Sequence, residues 1–331
     1  MKSFIKELFF DEVRCGYLVT SQRKRLWNVQ IKLINEFARI CKKHNLKWFA
    51  YAGTLLGAAR HNGFIPWDDD VDLAMLRPDY DKFIQIAPTE LDSNYFLDNW
   101  IDYRLEEEAA FDDNTDENLQ FLSTEVTNTI RSKNWFWPTR AGYVKLRDSN
   151  TIQLNWASRK NVNQGIWIDI FPLDFVPPFA DEKKQRNFDI ATELFLAVSH
   201  RQKIIDGLNN KKSFVTPLDQ LKKFLDMPFH LRARNFEKHM ADLYTELQNT
   251  ESQYVGWLLL FLRRKRIFKV ASFDKTIDLP FELATISCPA EYDDVLTSWY
   301  GNWREPVFKK GHSRIWSDTM SYKDYFAQVT R

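Results

Sequence analysis

One acidic run constrains the fold of this chain more than any other feature: residues 67–73, with the sequence WDDDVDL. Apolar residues continue from it, so that Val71–Leu76 is predicted to be a buried strand. Alternate residues of a strand face the same side of a sheet. Asp70 and Asp72 are therefore expected to project together, while Val71 points into the core.

These carboxylates predict a metal site. Two carboxylates on a half-buried strand repel each other, and the repulsion grows as the local dielectric constant falls. Mg²⁺, or Mn²⁺, relieves it, because these ions bind carboxylate oxygens and also bridge substrate phosphates. We expect Asp70 and Asp72 to be ligands, with Asp68 as a further candidate at the strand entrance. The alternative is an exposed acidic turn that binds no metal.

A third carboxylate, Asp169, lies within an otherwise apolar run, residues 165–171. That run is predicted to form a strand, and an isolated acid there is costly to bury unless it is paired or bound to metal. We expect Asp169 to complete the metal site. The alternative is an aspartate that caps a turn before Pro172.

Several residues are candidates for phosphate binding. Gly53 and Thr54 follow a short aromatic strand and open a helix, whose free N–H groups favour anions; a simple capped turn is the alternative. Lys145 and Arg147 alternate on a predicted strand and are expected to neutralise a diphosphate, unless the strand is a solvated edge. The remaining candidates are Arg60 and His61.

Composition excludes some classes of protein. The 331 residues carry 46 Lys and Arg against 45 Asp and Glu, which argues against a nucleic-acid binder, because such proteins need excess positive charge. The three Cys show no metal-like spacing and suit a reducing compartment. No apolar run approaches the roughly 20 residues of a membrane-spanning helix, and the start does not resemble a signal peptide. We therefore expect a cytoplasmic protein.

The pattern along the chain predicts four segments. They are an N-terminal helical segment (1–45), an α/β catalytic core (46–178) with an acidic insert near 101–118, a helical region (179–268), and a C-terminal segment (269–331) packed on the core. The helical region ends in the apolar and then basic run 257–266. That run is a candidate for peripheral contact with the inner face of a membrane; a buried helix end is the alternative.

Residues 51–72, YAGTLLGAARHNGFIPWDDDVD, strongly resemble the signature of the LicD family, which includes bacterial phosphocholine transferases and is related to fukutin and fukutin-related protein. Residues 143–148 and 165–174 agree with it. The tail at 299–306 is similar more loosely, and His312 beyond it is a further candidate for binding substrate or phosphate. The resemblance covers about residues 25–178 and 280–315.

The resemblance implies an α/β (α+β) fold with a nucleotidyltransferase-like mixed sheet, similar to DNA polymerase β, with a helical elaboration. It also implies Mg²⁺ held at Asp70, Asp72 and Asp169, with Gly53 and Thr54 in the place of the fold's phosphate-binding loop. The expected activity is transfer of a phosphorylated alcohol, phosphocholine first among them, from a CDP-activated donor such as CDP-choline. The expected acceptor is a hydroxyl of a cell-surface glycan, a lipid-linked glycan, or a precursor of teichoic acid or lipopolysaccharide.

Two other functions are compatible with the sequence. A glycosyltransferase also uses an Asp-x-Asp motif to bind a metal and a nucleotide-sugar, but this function leaves Gly53 and Thr54 unexplained. A non-catalytic scaffold in glycan assembly is the other alternative, and retention of Asp70, Asp72 and Asp169 argues against it.

Overall fold

The computed structural model describes residues 10–98, 143–154, 163–176, 182–199, 201–248, 252–257, 266–308 and 316–329. The predicted acidic insert at 101–118, His312 and most of the run 257–266 lie outside these ranges. The helices are α1 (Ser21–Lys43), α2 (Ala52–His61), α3 (Arg77–Glu90), α4 (Glu182–Ser199), α5 (Arg201–Asn209), α6 (Leu218–Leu225), α7 (Phe229–Gln248), α8 (Tyr292–Tyr300) and α9 (Tyr322–Val329), with a 3₁₀ helix at Val270–Phe273.

The strands are mostly short. They are β1 (Glu12–Arg14), β2 (Tyr17–Val19), β3 (Phe49–Ala50), β4 (Asp72–Leu76), β5 (Tyr95–Asp98), β6 (Val144–Asp148), β7 (Ile152–Gln153), β8 (Ile166–Val176), β9 (Tyr254–Gly256), β10 (Ile267–Lys269), β11 (Thr276–Phe281), β12 (Ala284–Pro289) and β13 (Trp316–Ser317).

The long strand β8 organises a mixed sheet of seven strands among the described residues. It pairs in parallel with β4, and β4 pairs antiparallel with β3. On its other edge, β8 pairs antiparallel first with β6, which leads to β5, and then with β9, which leads to β10. The predicted α/β class with a mixed sheet is therefore confirmed.

Helices α1 and α3 pack on strands of the sheet, and α1 shows why the sequence folds this way. The hydroxyl of Thr20 accepts a hydrogen bond from the backbone N–H of Arg23 at 3.2 Å and caps the helix. Apolar residues at helical spacing, among them Leu33 and Phe37, are fully buried. The N-terminal segment therefore contains a helix, as its pattern predicts, from Ser21 to Lys43.

The structure also departs from the sequence predictions. The hairpin of β1 and β2 precedes the helix in the N-terminal segment. The strand predicted at 166–171 continues to Val176. The region at 179–268 contains the four helices α4–α7, as its pattern predicts, but strands β9 and β10 at its end join the sheet. No helix of the described ranges is long and apolar enough to cross a membrane.

Candidate metal and phosphate site

The acidic run and Asp169 meet where β4 begins. Asp72 lies directly opposite Asp169 in the register of the parallel pair β4–β8. Just before β4, carboxylate oxygens of Asp68, Asp69 and Asp70 all lie within 4.8 Å of one another. Asp70 links the two groups, because it acts electrostatically on both Asp68 and Asp72. The predicted meeting of Asp70, Asp72 and Asp169 is therefore present in the structure.

Helix α1 positions the acidic loop through its backbone. Arg23 donates a hydrogen bond of 2.7 Å to the carbonyl of Asp68, and the Trp27 indole N–H donates to the same carbonyl at 3.1 Å. One turn further along the helix, the Gln30 side-chain amide donates to the carbonyl of Asp69 at 2.9 Å. Residues 23, 27 and 30 lie on one helix face, so the loop is held in place while its carboxylates stay available.

The electrostatics of this acidic cluster fit a divalent cation. Burial, together with repulsion from Asp70, raises the pKa of Asp68 to about 8. Burial also raises the pKa of Asp72 well above its ordinary value, and repulsion from Asp70, Asp169 and Asp68 adds to the effect. Hard oxygen donors that repel one another are the set that Mg²⁺ or Mn²⁺ prefers. Asp68, Asp70 and Asp72 are the residues that can hold such an ion; Asp169 lies opposite Asp72, and Asp69 lies close to Asp68 and Asp70.

Lys145 lies at the edge of this cluster. It is opposite Asp169 in the antiparallel pair β6–β8, and its ammonium donates a hydrogen bond to Asp169 Oδ1. Its Nζ also lies 4.7 Å from the ring centre of Tyr143 and 4.6 Å from that of Trp167. Burial lowers the pKa of Lys145, while Asp169 acts in the opposite direction. The Lys145 ammonium thus offsets part of the negative charge of the cluster.

Arg147 shares a sheet face with Lys145, but its surroundings differ. Its side chain is buried; Nε donates to Asp98 Oδ2 at 2.7 Å and one terminal N–H donates to the Gly165 carbonyl at 3.0 Å. Alternation along the strand predicted that Arg147 shares a sheet face with Lys145, but it did not predict that Asp98 is the partner of Arg147. The structure gives Arg147 a part in packing β5, β6 and β8 together, whereas Lys145 is the residue placed at the acids.

Gly53 and Thr54 stand at the start of α2, next to the acids. A Cβ on Gly53 would lie 2.8 Å from Asp68 Oδ2, so a larger residue would displace that carboxylate from its position. The Thr54 hydroxyl accepts a hydrogen bond from the Asp72 backbone N–H at 2.8 Å. The helix N-terminus also favours the negative charge of Asp68. Both residues shape the acidic cluster; their contact with a phosphate stays a prediction.

Arg60 and His61 lie at the other end of α2. Arg60 donates from Nε to His61 Nε2 at 3.0 Å and from a terminal nitrogen to the carbonyl of Trp303 at 2.8 Å, which ties α2 to the C-terminal segment. Burial, with the charge of Arg60, lowers the pKa of His61 to about 4, so the imidazole is neutral near pH 7. Its Nδ1 lies 3.7 Å from Cys15 Sγ.

Sequence reasoning missed three side chains beside the acids: Tyr51, Tyr300 and Arg266. Asp72 acts electrostatically on the hydroxyls of both Tyr51 and Tyr300, and so does Arg266. Tyr51 opens the 51–72 motif and Tyr300 belongs to the tail motif, so each lies in a segment whose resemblance to the LicD family could have identified it. Their meeting depends on the packing of α8 against α2, which no spacing predicts.

The run 257–266 is described only at its two ends, and both lie at this site. Trp257 packs against Phe171 and Tyr143, with ring centres 4.9 and 5.6 Å apart. The Arg266 guanidinium lies 5.0 Å from the ring centre of Trp299. The predicted membrane contact of the residues between them stays a prediction.

Comparison with known proteins agrees with this geometry. Residues 45–180 match the family model described as LicD/FKTN/FKRP, nucleotidyltransferase domain. This range contains the acidic run, Gly53, Lys145 and Asp169. The match is to a domain and covers the part of the chain that builds the acidic cluster.

Curated relatives match over shorter stretches. A Haemophilus influenzae protein described as lipopolysaccharide cholinephosphotransferase LicD is 36% identical over 70 residues, which cover 21% of this chain and 26% of the relative. An uncharacterized protein of Rickettsia typhi is 41% identical over 68 residues, covering 20% of this chain and 21% of its own. The matches thus span about a quarter or less of these relatives. Residues 45–180 are therefore similar to the nucleotidyltransferase domain of the LicD family.

Proposed function

We propose that this protein transfers phosphocholine from a CDP-activated donor, CDP-choline, to a hydroxyl of a cell-surface glycan or a lipid-linked glycan precursor. The observation that carries the proposal is the convergence of Asp68, Asp70, Asp72 and Asp169 in the domain that matches the LicD family. The description of the Haemophilus influenzae relative supports phosphocholine as the transferred group. The CDP carrier, the cation and the acceptor are our inference.

In this proposal, Asp68, Asp70 and Asp72 hold one Mg²⁺ or Mn²⁺. Bound there, the cation supplies Lewis-acid neutralisation of the charge on a diphosphate. The residues of the chain prepare that position. Gly53 leaves the space for Asp68, and the Thr54 hydroxyl fixes the backbone of Asp72.

The reaction replaces one P–O bond with another. The acceptor oxygen bonds to the phosphorus that carries choline, the bond from that phosphorus to the CMP oxygen breaks, and CMP leaves with the electron pair. Lys145 occupies Asp169 Oδ1, so the other oxygen of Asp169 is available to accept the proton of the acceptor hydroxyl. The Lys145 ammonium then stabilises the negative charge that develops on the phosphate oxygens during the transfer.

The proposal is tested by CMP release. Purified protein is incubated with Mg²⁺ and a panel of CDP-choline, CDP-ethanolamine, CDP-ribitol and CDP-glycerol, with and without lipooligosaccharide, teichoic-acid and lipid-linked oligosaccharide acceptors. We expect CMP to form fastest with CDP-choline and only when an acceptor hydroxyl is present. UDP- and GDP-sugars, run in parallel, test the glycosyltransferase alternative.

A matched pair of variants completes the test. Asp72→Asn removes a charge from the acidic cluster and is expected to abolish CMP release. Asp278→Asn changes an exposed aspartate of the hairpin β11–β12 and is expected to leave CMP release unchanged. Absence of CMP release with every CDP-alcohol, in a folded protein that binds Mg²⁺, would refute the proposed donor class.

A further inference from the structure

The hydroxyl of Tyr51 is buried and lacks a hydrogen-bond partner among the described residues. Tyr51 is only 2% exposed, and its ring packs between Phe171 and Trp299. A buried polar group without a partner is costly, and such groups in native proteins usually serve a ligand or an ordered water. The groups near this hydroxyl therefore indicate what kind of ligand it serves.

Charged and polar groups act electrostatically on the Tyr51 hydroxyl. Asp72, Arg266 and Tyr300 all lie within electrostatic reach of it. The backbone fixes Tyr51 there, because its N–H donates to the Asp72 carbonyl at 2.9 Å. The phenol thus stands at the border between the acids and a positive charge.

Trp299 holds the positive charge of Arg266 close to Tyr51. Its ring centre lies 4.8 Å from that of Tyr51 and 5.0 Å from the Arg266 guanidinium, so the two are held on one indole. The ring of Tyr300 stacks on Trp299 at 5.5 Å, and the surroundings of its hydroxyl include Asp72, Arg266, Asp68 and Arg60. Tyr300 is partly exposed and therefore stands between the acids, the arginines and solvent.

We propose that Tyr300 and Arg266, backed by Tyr51 and Trp299, form a phosphate-binding edge beside the acidic cluster, which takes one phosphate group of a diphosphate while a cation on the acids takes the other. The identification of that diphosphate as part of a CDP-alcohol rests on the proposed function. The edge itself rests on the packing described above.

The arrangement of charge favours a diphosphate over a single anion or cation. The acids repel a bare anion, so anion binding should require a divalent cation. The guanidinium supplies planar N–H donors that suit phosphate oxygens. In this proposal the buried hydroxyl of Tyr51 is a positioning group, which gains its missing hydrogen-bond partner once the ligand is in place.

Tyr51→Phe separates this role from simple packing. If the hydroxyl only fills space, its removal stabilises the protein and leaves ligand affinity unchanged. If it serves the phosphate edge, the same change raises the melting temperature of the ligand-free protein and weakens binding of Mg²⁺-pyrophosphate. Tyr80→Phe is the matched control: Tyr80 is a buried tyrosine whose hydroxyl is hydrogen-bonded to the backbone of Val144, near Arg77 and Asp174.

The experiment titrates inorganic pyrophosphate into the full chain by calorimetry, with and without Mg²⁺. We expect binding only with Mg²⁺, and a loss of affinity of about tenfold or more in Tyr51→Phe, Tyr300→Phe and Arg266→Ala. Arg304→Ala is the control for the arginine, because Arg304 lies 4.4 Å from the Trp303 ring centre but pairs with the exposed Asp293.

Wild-type affinity in all three variants, while Tyr80→Phe and Arg304→Ala behave as expected, would overturn the proposal. Tight pyrophosphate binding without Mg²⁺ would overturn the part assigned to the cation. Failure of the proposed function is a different result: pyrophosphate binding would depend on Arg266 and Tyr300, yet no CDP-alcohol would yield CMP.

Discussion

The side chain of Thr54 fixes the backbone of Asp72: its hydroxyl oxygen accepts the Asp72 N–H at 2.8 Å, and Thr54 is buried. The glycine-threonine pair of the sequence motif therefore supports the acidic strand directly. Asp72 enters β4 with its N–H paired, and it lies opposite Asp169 in the strand register. The motif thus connects Thr54 with Asp72, two residues that have 17 others between them in the sequence.

Thr54→Val tests how much this hydrogen bond contributes to stability and to Mg²⁺ binding. The substitution keeps the shape of the side chain but leaves the Asp72 N–H without a buried acceptor, a cost of about 1–3 kcal/mol. Urea unfolding should report this loss, and calorimetric titration should show weaker Mg²⁺ binding because the Asp72 backbone is less well fixed. Thr54→Ser retains the acceptor and should bind Mg²⁺ like the wild type. Equal stability of all three proteins would argue against the contact.

The raised pKa values of Asp68 and Asp72 predict a pH-dependent response to Mg²⁺. The folded protein holds a proton on Asp68 up to about pH 8, whereas the unfolded chain releases it near its ordinary value of 3.8. Stability of the metal-free protein should therefore fall as the pH rises between these values. Mg²⁺ replaces the proton, so it should raise the melting temperature more at about pH 8.5 than at about pH 6.

Asp68→Asn is the control for this pH effect. The amide does not titrate, so the difference in Mg²⁺ stabilisation between the two pH values should shrink, although Asp72 will preserve part of it. Thermal unfolding at matched ionic strength checks the result, since screening by salt alone would change both proteins equally. A wild-type response that is identical at both pH values would contradict the coupling between protons and Mg²⁺.

Lys145 and Arg147 should separate into two roles, although they alternate on one strand. Arg147→Met leaves Asp98 without its buried cation and should lower the free energy of unfolding by about 3–5 kcal/mol. Lys145→Met should leave Mg²⁺ binding in place and lower kcat for CMP release strongly, because the charge beside Asp169 is lost. Lys145→Arg should restore part of the activity. The reverse outcome, an inactive but fully stable Arg147→Met, would show that the roles are exchanged.

Asp169 and Asp70 should also differ in their substitution effects. Asp169→Asn keeps an oxygen but loses the capacity to accept a proton, so we expect kcat to fall by about 10²–10⁴-fold with Mg²⁺ affinity reduced only modestly. Asp70→Asn should weaken Mg²⁺ binding much more, since Asp70 links Asp68 to Asp72. Calorimetry and steady-state kinetics on the same preparations check both expectations. Equal loss of Mg²⁺ affinity in the two variants would make Asp169 a ligand of equal weight.

Sequence patterns predicted local features well because local rules decide them. Thr20 caps α1 as its residue type indicates, and Gly301 ends α8 with a positive φ of 69°. Alternation predicted that Asp70 and Asp72 project together from one strand. In the structure β4 begins at Asp72, so Asp70 lies just before the strand, and Asp69 also lies close to Asp68 and Asp70.

Partners between distant elements could not be predicted in the same way. Asp98 is the buried partner of Arg147, and no spacing relates the two. Strand β9 follows a long helical region and joins the sheet only because Tyr254 pairs with Val176 of β8. The meeting of Tyr51 with Trp299 likewise depends on tertiary packing.

In a crystal grown or soaked with Mn²⁺, anomalous scattering shows whether the acidic cluster binds a metal, without reference to activity. We expect one strong peak within bonding distance of carboxylate oxygens of Asp70 and Asp72, with Asp68 or Asp169 also contributing an oxygen. At saturating Mn²⁺, a peak elsewhere, or no peak at these carboxylates in a folded wild-type crystal, would contradict it.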